Sequence, residues 1–234
     1  MTEAILWQFE ISPFADKVRR ILNVKGVAYE TRDPKMGDIA AFKKKSPAGR
    51  LPVLEHGGRL IADSTDIALY LEEAFPQPAL LPADPALRGE ALILEDWADE
   101  SLYWYELTMR LTWETNAPAV VGGMLKAGGA PALLVKPFTR QVMKTYGKLS
   151  AGQGVGAKPR AQVLTDLARI TDSVQSRLAG RAFLVGDALS IADIAVFVQL
   201  ACIRGTVEGG PLFAARPGLS AWMDQIDAAT RRRG

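Results

Sequence analysis

The sequence predicts a chain in two parts, an α/β unit followed by an all-helical one. Three observations carry this. Residues 75–86, FPQPALLPADPA, hold four prolines (Pro76, Pro78, Pro82 and Pro85). Proline removes a backbone donor and clashes inside helices, so no continuous element crosses them. Before that break, short apolar runs alternate with amphipathic stretches; after it, apolar residues recur almost everywhere at helical spacing. The expected division is residues 1–75, a proline-rich linker at 76–86 and a helical part at 87–234.

The first part reads βαβαββα. Ile5, Trp7 and Phe9 alternate with polar or smaller residues, which is strand period. Ser12-Pro13 is a helix start, serine as N-cap and proline at the first helical position. Val18, Ile21 and Leu22 share one face of that helix, and Gly26 ends it. Val27 to Thr31 is the second strand, and Asp38 to Lys45 a short basic helix. Leu51 to Glu55 and Arg59 to Ala62 are strands joined at His56-Gly57-Gly58, a hairpin signal. Asp63-Ser64 then caps a helix with Ile67, Leu71 and Phe75 inward.

The second part opens with a long helix from about Leu87 to Thr115, rich in Trp and Tyr. Gly122 to Gly129 is expected to interrupt it as a glycine-rich, lid-like stretch. Pro131 to Lys148 is the next helix, and Gly147, Gly152, Gly154 and Gly156 are read as a loop. A further helix aligns Val163, Leu167, Ile170, Val174 and Leu178. The helix within FLVGDALSIADIAVFVQLA is apolar nearly all round and belongs at the domain centre. Ser190 and Asp193 have capping-box spacing at its start and are read as structural, Asp193 buried.

Composition narrows the function. With 234 residues, 48% hydrophobic and 23% charged, the chain is an ordinary globular one. The net charge of +2 leaves no overall electrostatic footprint for a dedicated nucleic-acid binder. Cys202 is the one cysteine and His56 the one histidine. Intramolecular disulfides, CxxC redox pairs and multi-histidine metal sites are therefore excluded. A Ser-His-Asp triad would have to use His56, and no nucleophile elbow accompanies it. The glycines at 152, 154 and 156 do not follow a strand, which excludes a dinucleotide fingerprint. No segment reads as a signal peptide or membrane span, and a cytoplasmic protein is expected. Arg231-Arg232-Arg233 reads as a solvated tail.

Four segments together resemble the cytosolic glutathione transferase family. They are Ser12-Pro13-Phe14-Ala15-Asp16-Lys17-Val18-Arg19, Arg50-Leu51-Pro52-Val53-Leu54, Leu60-Ile61-Ala62-Asp63-Ser64-Thr65-Asp66-Ile67, and Phe183 to Gly186 with Ser190 to Asp193. They stand in family order and fall in both halves. The resemblance implies a thioredoxin-like N-terminal domain, an all-helical C-terminal domain, a homodimer and glutathione as co-substrate with no metal. The SPF opening is most similar to the serine-bearing tau type, or to an omega type with serine in place of cysteine.

That resemblance gives Ser12 a catalytic role. A free thiol has a pKa of about 8.5, so only about 3% is ionised at pH 7. Lowering it by about two units raises that to roughly 75% and corresponds to about 2.7 kcal/mol. A hydroxyl donating to the thiolate supplies about 1.5–3 kcal/mol, and a helix N-terminus about 0.3–1 kcal/mol. Ser12 combines both; read locally, it is simply an N-cap. Serine cannot form a mixed disulfide, which disfavours thiol transfer. Cys202, read as a small core residue on the buried helix, cannot replace it.

The resemblance further implies that Leu51 pairs its backbone with the cysteinyl part of glutathione, before a cis Pro52. It implies that Ser64 receives the γ-glutamyl carboxylate and Asp63 the α-amino group. Asp63 is shorter than the commoner Glu or Gln, and Asp66 is an alternative. Both Asp63 and Ser64 also read as caps. For the glycine carboxylate, the family position aligns with Asp38, of the wrong charge; Arg50 is the chosen cation, with Lys43-Lys44-Lys45 nearby. Phe14 could floor the electrophile site. Trp97, Tyr103, Trp104, Tyr105 and Trp113 could line its wall, though part of that cluster has core spacing. Arg110 pairs either an acidic electrophile or a neighbour. The function implied is addition of glutathione to an apolar electrophile, without nucleic acid or membrane partners. The alternative is a non-catalytic binding or interaction module on the same fold.

Overall fold

A computed structural model describes residues 4–34, 46, 49–127 and 131–232. The basic helix expected at Asp38 to Lys45, with Lys43, Lys44 and Lys45, lies outside the described residues. So does Arg233 of the tail.

The N-terminal part contains β1 (Ala4–Trp7), α1 (Pro13–Val24), β2 (Tyr29–Arg32), β3 (Val53–His56), β4 (Arg59–Ala62) and α2 (Ser64–Ala74). The sheet order is β2-β1-β3-β4. β1 and β2 are parallel, joined by the crossover helix α1; the other pairs are antiparallel. This is the mixed thioredoxin-like sheet that the sequence predicts. β1 has the expected period but buries the opposite set: Ala4 and Leu6 are fully enclosed, while Phe9 is 46% exposed. Val18, Ile21 and Leu22 of α1 and Ile67 and Leu71 of α2 close over them.

Register positions the site. Trp7 pairs with Val53, and Val53 pairs with Ala62. The loop after β1, the Leu51-Pro52 approach to β3 and the start of α2 therefore meet at one end of the sheet.

The helical part comprises α3 (Pro85–Trp97), a π-helical segment (Ala98–Leu102), α4 (Tyr103–Thr112), α5 (Ala117–Ala127), α6 (Val135–Gln153), α7 (Arg160–Arg177), α8 (Ile191–Arg204), α9 (Gly209–Ala214) and α10 (Pro217–Thr230). Asp84 caps α3 by accepting from the Ala86 and Leu87 amides, both at 2.9 Å. The single long helix expected at 87–115 is thus broken by a π segment and ends at Thr112. Of the stretch expected at Gly122 to Gly129, Gly122 and Gly123 lie inside α5 rather than interrupting a helix, and Gly128 and Gly129 lie outside the described residues. Gly122 faces Val135 at the start of α6, where an added Cβ would make an ordinary contact at 3.5 Å. Gly147 and Gly152 likewise sit within α6, which Gly154 ends at φ +120°. Gly156 lies against Ser150, where a Cβ would collide.

α8 is the central helix, buried from Ile191 through Leu200 and packed on α1, α3 and α4. Asp193 is buried as expected. It accepts from the Leu184 amide at 2.7 Å, and from the Ser190 amide and hydroxyl at 2.9 and 2.7 Å. The proline-rich stretch is tied down rather than loose. Leu80 and Leu81 are buried, the Ile191 amide donates to Leu80 O at 2.8 Å, and Lys25 Nζ donates to Pro78 O at 2.7 Å. Among the described residues, no helix is long and apolar enough to cross a membrane.

Candidate active site

Ser12 is the N-cap of α1, with Pro13 in the first turn. Its Oγ accepts from the Ala15 amide at 3.4 Å, so the capping role is real. That bond uses a lone pair and leaves the hydroxyl proton free to donate. The preceding residue, Ile11, is held by the helical part: Arg110 Nη2 donates to Ile11 O at 3.0 Å. Arg110 Nη1 donates to Glu106 Oε2 and to Cys202 Sγ, both at 3.1 Å. Of the two readings of Arg110, the structure shows pairing with a neighbour.

Ser12 borders a cavity of about 500 Å³ between the start of α1 and helices α4, α5 and α8. Ile11, Pro13, Ala119, Val120 and Val207 give it apolar wall. The polar residues at its far end are already committed. Asn116 donates to Glu208 Oε2 at 2.8 Å and accepts from the Val207 amide at 2.9 Å, and Thr115 donates to Glu208 Oε1 at 2.7 Å. Cys202 lies half-buried on the same wall rather than enclosed in the core, which corrects its expected placement. Burial pushes its thiol well above the ordinary range, so it stays protonated.

Beyond Ser12, at the start of α2, the chemistry is different. Leu51–Pro52 is a cis peptide, as the resemblance implies. Asp63 caps α2 at φ 78°, a left-handed conformation that non-glycine residues seldom adopt. Its Oδ1 accepts from the Thr65 amide at 2.8 Å and the Asp66 amide at 3.4 Å. Ser64 is buried and donates to Asp99 Oδ2 at 3.4 Å. The Ser64 amide has no hydrogen bond among the described residues. Lys17, fully buried on α1, donates to Glu95 Oε1 at 2.6 Å, to Thr65 Oγ1 at 3.3 Å and to Asp99 Oδ2. Asp99 Oδ1 is buried with no hydrogen-bond partner among the described residues. Burial raises the Asp99 pKa to about 6, outweighing the opposing pull of Lys17. Burial also works against the Lys17 charge, but Asp99 and Glu95 prevail and its pKa is raised.

The remaining candidates divide. Phe14 is half-buried with its ring 4.8 Å from that of Tyr103, whose centroid is 5.3 Å from Trp104. Tyr105 and Trp113 are buried in the helical core, and Trp97 packs against it. Arg50 is exposed and lies near enough to Tyr103 to oppose the rise that burial causes in its phenol. Asp66 is exposed; Asp38 lies outside the described residues. His56 Nδ1 is 2.7 Å from Tyr70 OH, a structural contact beside Phe75.

Residues 6–79 match the family model "Glutathione S-transferase, N-terminal domain", and residues 157–225 match "Glutathione S-transferase, C-terminal domain". The chain belongs to the cytosolic glutathione transferase family. Protein LigF of Sphingobium sp. (strain NBRC 103272 / SYK-6) is 29% identical over 198 residues, covering 80% of this chain and 73% of that protein. Isoprene-epoxide–glutathione S-transferase of Rhodococcus sp. (strain AD45) is 25% identical over 228 residues, covering 93% and 92%. The crystal structure of beta-etherase LigF from Sphingobium sp. strain SYK-6 shares the fold, with TM-score 0.71, 24% identity and coverage of 96% and 95%.

For a glutathione transferase chain, the sequence reading missed Lys17, Glu95 and Asp99. Lys17 stood inside the quoted SPF segment, and a lysine on the inward side of an amphipathic helix signals a buried acid. Nothing in the sequence identified Glu95 and Asp99 as that acid pair.

Proposed function

We propose that this transferase holds glutathione as its thiolate at Ser12 and adds the sulfur to an apolar electrophile in the adjoining cavity. The thiol gives its proton to water, and the thiolate sulfur forms a bond to an electrophilic carbon as that carbon's bond to halogen or epoxide oxygen breaks. The electron pair leaves with the halide, or stays on the oxygen, which takes a proton from water. Ser12 donates to the sulfur, and the amides of the first turn of α1 add the field of a helix N-terminus. The observation that carries the reading is the uncommitted hydroxyl proton of Ser12 at the border of a cavity with apolar wall.

Glutathione itself extends toward α2. Leu51 before Pro52 pairs with the cysteinyl backbone, the free Ser64 amide receives the γ-glutamyl carboxylate, and Asp63 with Asp99 Oδ1 receives the α-amino group. Arg50 holds the glycine carboxylate. Phe14 packs on Tyr103 and does not line the cavity, so the electrophile is floored by Ile11 and Pro13 instead. Residues 1–75 are the glutathione-binding unit, 76–86 the linker and 87–234 the helical unit. The serine assignment makes this a conjugating enzyme rather than a thiol transferase. A relative named for isoprene epoxide supports a small apolar electrophile. A homodimer is proposed on the family resemblance. The setting proposed is the cytoplasm, without a metal.

Calorimetric titration with reduced glutathione, followed by turnover of a panel of epoxides and aryl halides, tests the reading. One-to-one binding with turnover lost in Ser12→Ala supports it. Absence of binding overturns it and favours an interaction module.

A further inference from the structure

The overall charge of +2 conceals a strong local asymmetry. From Thr115 to Thr165 there is no Asp or Glu, against seven Lys and Arg. Two of these, Lys158 and Arg160, pair with Asp166 and Glu114, which flank the stretch. The other five have no ion-pair partner among the described residues. Lys126 stands exposed on α5. Lys136, Arg140, Lys144 and Lys148 stand exposed on α6, which packs on α5 and α4.

The four on α6 are spaced i, i+4, i+8 and i+12. Each step advances about 40° round an α-helix, so they form one stripe about 18 Å long. Like charges four residues apart repel, and a cation near a helix N-terminus opposes the macrodipole. The arrangement therefore costs α6 stability, and no acid of the described residues answers it. At the N-terminal end of the stripe, the turn at Ala132–Leu134 presents Leu133, 78% exposed, and Leu134, 45% exposed.

We propose that this face of α6 is a docking surface for an anionic lipid bilayer. Positive charge in a line matches a negatively charged headgroup layer, and the two leucines enter the boundary beneath it. The other face of α6 is packed on α4 and α5, so the helix stays in the fold and the protein binds peripherally. The stripe suits lipid better than nucleic acid. Its cations are three lysines to one arginine, and the rings of α6, Phe138 and Tyr146, are half-buried rather than offered for stacking. The inference is independent of the proposed chemistry at Ser12.

The test is sedimentation of the full chain with phosphatidylcholine vesicles, with and without phosphatidylglycerol, across a salt series. Three proteins are compared: wild type, the K136Q/R140Q/K144Q/K148Q variant and Leu133→Ser, with circular dichroism checking that each is folded. Wild type is expected on the anionic vesicles alone, weakening as salt rises. The fourfold variant is expected to lose about a hundredfold or more in partition, from the loss of four surface cations. Leu133→Ser is expected to lose several-fold. No wild-type binding to anionic vesicles overturns the proposal, as does binding that the fourfold variant retains. Unchanged partition of Leu133→Ser, or wild-type retention on duplex DNA without vesicle binding, also overturns it, the surface then being one for polyanions in general.

Discussion

The two sides of Ser12 are built on opposite principles. Toward α2, a buried lysine, two buried carboxylates, an unpartnered oxygen at Asp99 and a left-handed Asp63 are brought together. Toward α5 and α8, the polar groups are already paired, Asn116 and Thr115 with Glu208, Arg19 with Glu10 and Asp16, and Arg110 with Glu106, beside a stretch of apolar wall. A site with unmet polar capacity selects one ligand closely, because any other leaves buried groups unpaired. A site whose polar groups are already paired accepts by size and hydrophobicity. The pairing suits an enzyme with one fixed co-substrate and a range of partners for it.

The largest expected effect lies on the polar side. Lys17→Met leaves Glu95 and Asp99 buried together without a cation. It should cost about 3–5 kcal/mol of stability, as for breaking a buried charge pair, read as a shift in the urea unfolding midpoint. A loss below about 1 kcal/mol would mean that the cluster is wetter than its burial indicates.

Ser12→Ala should lower kcat/KM by about 10- to 100-fold, the worth of a hydrogen bond to a charged group. Its stability should drop only by about 0.5–2 kcal/mol for the lost cap. Steady-state kinetics and thermal unfolding on the same preparation separate the two.

Asp99 supplies the pH test. Its raised pKa means that the carboxylate becomes neutral as pH falls through about 6. A carboxylate that receives an ammonium group loses the attraction when neutral. Glutathione binding should therefore weaken below that pH, by up to about tenfold per unit. Asp99→Asn should bind weakly throughout and show a flat profile over the same range. A wild-type profile that is itself flat would remove Asp99 from the glutathione site.

The smallest effect on activity belongs to the link between the two sides. Arg110→Met frees the Ile11 carbonyl and loosens the loop before Ser12; it also leaves buried Glu106 without its cation, so a loss of stability accompanies it. It should reduce kcat by roughly fivefold, about one hydrogen bond, with the KM for glutathione nearly unchanged. An altered KM alone would assign Arg110 to binding.

The comparison also marks what the sequence makes legible. Local signals sufficed for the β1–α1 start and the capped α2, because each is set by a serine, proline or aspartate acting on its own neighbours; the cis bond before Pro52 came from the family resemblance alone. Family order then indicated that they belong to one site. The helical part was harder. Gly122, Gly123, Gly147 and Gly152 look like breakers, but α5 and α6 as whole helices pack on one another and on α4, and that tertiary term exceeds a propensity cost of about 1 kcal/mol for each glycine. The π segment at Ala98–Leu102 gives no comparable signal, and it carries Asp99 into the cluster with Lys17. Pairs such as Lys17 with Asp99 or Arg110 with Ile11 are long-range contacts, invisible to a reading by spacing.

The most direct test of the central claim is the pKa of the glutathione thiol when bound, followed by the ultraviolet absorbance of the thiolate across a pH series. The account predicts a value about two units below the free thiol's 8.5 in the wild-type complex. It predicts a return of at least about one unit toward the free value in Ser12→Ala, the share carried by the hydroxyl. The same thiol pKa in both proteins would contradict the account and leave Ser12 as a helix cap.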